Sequence, residues 1–318
     1  MLTFDTGCHI FEKKMILQHQ KSWQVLTVLF LGVVGVSTAA IFIRLCLETA
    51  GESGLGFSLL IAASRLTIAS LILLPFIRKT SKVSVSKKAY LYAIAAGITL
   101  AFHFATWITS LSFTSIAAST TIVTTNPIWV TILSWLWLKE TPTRLTILGI
   151  AVALVGGFCI AIGDAGSLYG GSNPLLGDGL ALLGAFAVSF YLLLGKQAQA
   201  SGLSLGNYSA IAYTSAALFL LPFPFFFGLS YWGYPPQVYL YLLGMAIFSQ
   251  VLGHTSFNWA VRFISPTFVT LAILFEPVSA SVLGFFIFGE VPSFLVLIGA
   301  IILLIGSAIV ILGSRLIL

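Results

Sequence analysis

Charge is what this 318-residue chain has least of: Asp, Glu, Lys and Arg make up 8% of it, where a soluble domain carries about 25%. With 58% apolar residues and a mean hydropathy of +1.06, too few polar side chains exist to cover a water-facing surface. A soluble globular domain is excluded. Cysteine is also scarce. Cys8, Cys46 and Cys159 lie far apart with no CxxC spacing, so neither a disulfide framework nor a zinc site is expected. There is no GxxxxGK[ST] loop, because Gly195-Lys196 is followed by Gln197, and ATP-driven work by this chain is not expected. HExxH is absent as well, and Gly51-Glu-Ser-Gly54 falls in a short loop with no nearby helical His to activate its serine. The chain does not read as an enzyme and implies no cofactor or metal.

What is present is long apolar runs. Ten segments emerge, at about 24–44, 55–77, 89–110, 115–138, 145–163, 175–195, 207–228, 238–261, 266–288 and 294–314. Each is near the ~20 residues that a helix needs to cross a bilayer. None shows the alternating polarity of barrel strands, so the expected fold is all-α, a membrane protein of ten transmembrane helices. No removable signal peptide is expected, since residues 1–22 are mostly polar; residues 1–14 look unlike the rest, with Met15 as an alternative start.

Lys and Arg mark the cytoplasmic side. With the N-terminus inside, 13 of the 15 basic residues fall on that side; Arg44 is left outside and Arg65 lies within a span. Glu48, Glu52, Asp164, Asp178 and Glu290 fall outside. The net charge of +6 therefore reports orientation, not nucleic-acid binding: a multi-pass protein of a cytoplasmic-type (plasma) membrane is expected, with both termini cytoplasmic.

The chain also repeats itself. A shift of 150 lays residues 115–163 over 265–313 without gaps, with 11 of 49 positions identical, among them Ser115/Ser265, Pro127/Pro277, Glu140/Glu290, Pro142/Pro292 and Gly149, Gly156 and Gly163 over Gly299, Gly306 and Gly313. Weaker matches join Gly32–Ser37 to Gly184–Ser189, Leu74-Pro75 to Leu221-Pro222, and His103 to His254. The organisation expected is a cytoplasmic N-terminal segment (1–22), a first five-helix repeat (23–164) and a second (165–318). Five is odd, so the halves must be inverted, and the charges agree: Lys139 and Arg144 are replaced by Gly289 and Phe294 in the matching turn. Inverted repeats around a midplane site suit alternating access.

The Asn126-Pro-Ile-Trp…Lys139-Glu-Thr-Pro-Thr block (126–143) and the Leu274-Phe-Glu-Pro…Gly289-Glu-Val-Pro-Ser block (274–293), each followed by a glycine-spaced helix, resemble the drug/metabolite transporter superfamily, EamA type. The resemblance covers nearly all of residues 24–314. It implies ten helices in two such halves and transport of small organic molecules, among them amino acids, nucleosides and sugar phosphates.

Ionisable groups inside a bilayer are costly and face a cavity or a partner. Arg65 either attracts a substrate carboxylate or phosphate, or is held by helix-end carbonyls or Glu276. Glu276, whose counterpart is Asn126, is either a proton-coupling carboxylate or one half of a structural pair. Pro127 and Pro277 follow them and should kink their helices. His103 and His254, with Trp107 and Asn258 one turn on, suit a cavity wall, with proton transfer a further reading and satisfied interior histidines the plain one; Tyr191 and Tyr213 are weaker candidates. The glycine stripes read as a packing scaffold or the surface of a homodimer. Glu140 and Glu290 read as turn-forming, with Thr141 capping and Pro142 opening the next helix.

Arg65, His103, Trp107, Asn126, His254, Asn258 and Glu276 are thus expected to line a central cavity for a small-molecule substrate. The leading expectation is a secondary carrier exporting amino acids or similar metabolites, with proton coupling open. A nucleotide-sugar or phosphate exchanger is the alternative, and an intramembrane enzyme or sensor a more distant one.

Overall fold

The computed structural model describes residues 5–76, 85–138, 141–165, 171–260, 263, 269 and 272–315, with side-chain detail from Trp23 onward. Among the described residues there is no strand. The helices are α1 (Asp5–Ala50), α2 (Gly54–Leu73), α3 (Lys87–Ser110), α4 (Ile116–Val123), α5 (Asn126–Leu138), α6 (Arg144–Ala165), α7 (Pro174–Ala200), α8 (Leu205–Leu220), the short α9 (Phe223–Phe226), α10 (Pro236–Gly244), α11 (Thr255–Ala260), α12 (Glu276–Phe288) and α13 (Phe294–Arg315). Among the described residues seven helical stretches are long and apolar enough to cross a membrane, and three apolar helices are shorter: 144–160, 276–288 and 294–310. Each overlaps one of the ten apolar segments, the ninth of which is described only in part.

Three details differ from the sequence-based expectation. First, α1 runs back to Asp5, so the polar N-terminal segment continues the first span as one helix; no proline interrupts it. Second, Met245–His254 is wound as a π-helix between α10 and α11, a form that hydropathy cannot distinguish from an α-turn and that is frequent at functional sites. Third, Pro127 and Pro277 are not mid-helix kinks. Each is the second residue of a new helix, α5 or α12. A proline lacks the N–H that a first turn leaves unused anyway, and its fixed φ suits that turn, so the fourth span breaks outright at Thr124-Thr125.

Serine, asparagine and threonine caps start the helices as their chemistry dictates. Ser115 accepts from the Ala118 N–H at 3.1 Å, Asn173 accepts from Leu176 at 3.4 Å, and Ser204 accepts from Asn207 at 3.3 Å. The expected cap at Thr141 is instead at Thr143, which accepts from Thr146 N–H at 3.1 Å; Pro142 lies before the cap. The matching Ser293 accepts from Val296 N–H at 3.3 Å. Glu140 lies outside the described residues.

The halves pack by exchange. α1 lies against the π segment of the second half and α3 against α7; α2 pairs with α8, α4 with α12, and α6 with α13. The last pair is the closest. A Cβ on Gly149 would come within 2.6 Å of the Val310 nitrogen, and one on Gly163 within 2.8 Å of the Val296 nitrogen. The start of α6 therefore meets the end of α13 and the reverse, so the two helices are antiparallel and the halves are inverted. Small residues let backbones approach closely in lipid, where no hydrophobic force joins helices. The glycines are spent on this contact within the chain and do not form an outer face.

Candidate functional site

Both helix breaks fall at one place. Asn126 opens α5 and Glu276 opens α12, and both line a central cavity together with His103, Trp107, His254 and Asn258. Six of the seven residues expected there from sequence are thus brought together, three from each half. The first turns of α5 and α12 direct the positive ends of their helix dipoles at this space, a setting that favours an anionic group on a ligand.

The polar geometry is specific. His103 Nδ1 lies 2.9 Å from the Gly184 carbonyl oxygen; a carbonyl only accepts, so Nδ1 carries the hydrogen. The imidazole stacks on Trp107, with ring centres 5.8 Å apart and planes 9° from parallel. Asn258 Nδ2 donates to the Tyr191 hydroxyl at 2.8 Å. Ser189 donates to the backbone carbonyl of Asn126 at 3.2 Å, fixing the start of α5 against α7. His254, the last π residue, stands edge-on to Phe104 with centres 5.5 Å apart. Two cavity groups are buried with no hydrogen-bond partner: the Trp107 Nε1 donor and the Asn126 Oδ1 acceptor. A buried polar atom without a partner is costly, and both atoms belong to residues of the cavity wall.

Arg65 is the exception. It is 0% exposed and is not part of the cavity wall. Its Nε donates to Gln250 Oε1 at 2.8 Å and its guanidinium carbon lies 4.1 Å from the centre of the Phe104 ring, a cation–π contact. Among the described residues its short-range partners are an amide and a ring, while Glu276 interacts with it through charge without a direct ion pair. Arg65 therefore sits behind the wall formed by His103, Trp107 and His254, with Phe104 against all three. Sequence reasoning missed Gln250, although an amide in an apolar run is itself a signal of an internal partner. It undervalued Tyr191, which lines the cavity, and missed Thr124, Val188 and Phe257, whose types carry no signal in a chain this apolar. Among the described residues no cluster of metal-ligating side chains exists.

Two inverted helical halves, enclosing a cavity at which a helix of each half begins anew, define a class: membrane transporters built from inverted repeats. Comparison with known proteins makes the class more specific. The profile of the EamA-like transporter family matches residues 22–162 and 175–312, and the chain belongs to that family, within the drug/metabolite transporter superfamily. A protein of Clostridium kluyveri described as an uncharacterized transporter is 27% identical over 199 residues, covering 60% of this chain. The match spans 62% of that relative's length. A crystal structure of a protein superposes with a TM-score of 0.60 over 92% of this chain and 99% of its own, at 16% identity; this likeness concerns the fold alone.

Proposed function

We propose that this membrane transporter is a secondary carrier that exports small amphipathic metabolites, amino acids among them, by alternating access through the central cavity. The observation that carries the reading is the pairing of an unpartnered donor, Trp107 Nε1, with an unpartnered acceptor, Asn126 Oδ1, in a cavity that also holds Glu276. A ligand with one acceptor and one donor on an apolar body satisfies both: its acceptor meets the indole N–H, its donor meets the amide or carboxylate oxygen, and its apolar part lies on the stacked Trp107 and His103 rings. Amino acids have this chemistry.

A nucleotide-sugar or phosphate exchanger needs cations at the binding site. Among the described residues no Lys or Arg lines this cavity, and Arg65 is covered by Phe104, which favours the amphipathic substrate. The placement of Lys and Arg supports a plasma-membrane protein with both termini cytoplasmic. Glu276 and the two histidines are the groups suited to carry protons, should flux be coupled to them.

Counterflow into liposomes holding the purified protein, run over a panel of unlabelled metabolites, tests the reading. Exchange of labelled amino acids with neutral or zwitterionic metabolites is expected. Exchange confined to sugar phosphates or nucleotide sugars overturns the substrate class, and chemical conversion without movement across the bilayer overturns the carrier assignment.

A further inference from the structure

Glu290 lies in the turn between α12 and α13, outside the cavity, and is 5% exposed. Gly289 closes α12 in the left-handed conformation, φ 65°, and the Glu290 N–H reaches back to the Gly284 carbonyl at 3.4 Å, which turns the carboxylate toward the other half. There, the backbone N–H of Ile116, first residue of α4, donates to Glu290 Oε1 at 2.6 Å. Arg44 of α1 brings Nη1 to 4.0 Å from Glu290 Oε2, and its Nη2 donates to the Thr114 carbonyl at 3.2 Å. One carboxylate of the second half thus ties together α1 and the α3–α4 turn, two separate elements of the first.

The position of this knot is informative. α4 has eight residues, so its axis spans roughly 12 Å at 1.5 Å per residue. Glu290 holds its first residue, while the cavity meets its far end at Val123 and Thr124. The first-half residues at this end, Cys46, Leu111, Ser115 and Ile116, are all buried. A turn needs no such contact; a hydrogen bond to an ionised acceptor is among the stronger ones in a protein, and this one crosses between the halves.

We propose that Glu290 is the gate-holding residue of the transporter: its contacts with the Ile116 N–H and Arg44 keep the cavity closed at the end of the bundle that carries residues 44–54, and each transport cycle breaks them. The proposal rests on the alternating-access reading and adds to it the group that sets the balance between the two open states. It is a positioning residue, acting on access and not on the substrate.

The test is accessibility of the cavity from each membrane face. Thr124→Cys, in a chain whose Cys8, Cys46 and Cys159 are replaced by alanine, is reacted with a charged, membrane-impermeant thiol reagent in sealed vesicles of both orientations. The exposed Ser53→Cys, at the same end as Glu290, identifies that face. Glu290→Ala is expected to raise labelling from the Ser53 face roughly tenfold, the scale of one charge-assisted bond. Glu290→Gln keeps an acceptor for the Ile116 N–H and should give a smaller rise, and Arg44→Gln likewise. Unchanged labelling from that face in the folded Glu290→Gln and Arg44→Gln variants overturns the proposal even if Glu290→Ala fails to fold. Passage of the impermeant reagent into the vesicle lumen through the protein with an unsubstituted gate, which requires a cavity open to both faces at once, overturns alternating access itself, so the two failures are distinguishable.

Discussion

The hydroxyl of Ser293 donates to the carbonyl oxygen of Gly163 at 3.1 Å, and the hydroxyl of Thr143 donates to that of Gly313 at 3.3 Å. Each of these hydroxyls also accepts from its own helix, Ser293 from Val296 and Thr143 from Thr146. One side chain therefore caps the start of its helix and the end of the neighbouring antiparallel one. A helix end leaves four carbonyls unused, and in lipid no water satisfies them. Residues 143 and 293, and 163 and 313, are related by the same shift of 150 that relates the halves, so the pair of bonds records the inverted symmetry at the level of single atoms.

Inversion predicts opposite sidedness for matching turns. Thr141→Cys and Val291→Cys occupy exposed, related positions before α6 and α13. They should react with an impermeant thiol reagent from opposite faces of sealed vesicles, Thr141→Cys from the cytoplasmic one. Reaction of both from one face contradicts the antiparallel packing of α6 and α13.

The glycine contact between those helices predicts a difference between two adjacent residues. A Cβ on Gly156 would press on the Leu303 backbone, whereas one on Gly157 meets only the end of the Leu303 side chain at 3.8 Å. Gly156→Ala should lower stability by about 1–3 kcal/mol through overpacking, and Gly157→Ala should leave it unchanged or raise it by up to about 1 kcal/mol from helix propensity. Thermal denaturation of the two variants in the same detergent compares them directly; equal melting temperatures refute the contact.

Trp107 Nε1 is a buried donor without a hydrogen-bond partner, and its residue lines the cavity. Trp107→Phe retains an aromatic surface for the His103 ring and deletes only the N–H and part of the ring volume. If substrate accepts that hydrogen bond, KM should rise roughly tenfold, the size of one hydrogen bond. An unchanged KM in liposome uptake removes the indole N–H from recognition.

Glu276 opens α12 at the cavity and is 9% exposed. Should it carry the coupling proton, acidifying the compartment toward which substrate moves accelerates flux in the unaltered protein, because protons then run opposite to substrate. Glu276→Gln keeps the shape and abolishes that response while leaving counterflow measurable. A mutant whose flux still follows the pH gradient takes Glu276 out of coupling.

Much of this arrangement was legible along the chain. Pro127 and Pro277 stood at related places beside Asn126 and Glu276, and His103 at the relative position of His254, so symmetry alone brought six of the cavity residues together. Arg65 was not legible. As an ionisable group in an apolar run it looked like a cavity residue, yet Gln250 and the Phe104 ring hold it one layer away. Glu290 was equally obscure: its neighbours in sequence suggested a turn, and one of its partners, the Ile116 N–H, is 174 residues distant. The π-helical stretch 245–254, which sets the directions of His254 and Asn258, has the hydropathy of any apolar helix.

The amino-acid sequence by itself determined that the chain is helical and membrane-embedded, that it is doubled, and that its halves are opposed, because these follow from the length of apolar runs, the self-match at one shift and the siting of Lys and Arg. Only the tertiary structure decided which side of each helix meets the cavity. The reason is the solvent: lipid is as apolar as a protein interior, so a spanning helix shows no polar stripe to mark its outer face, and the orientation of Arg65, Tyr191 or Glu290 is set by the neighbours that their side chains meet across the bundle.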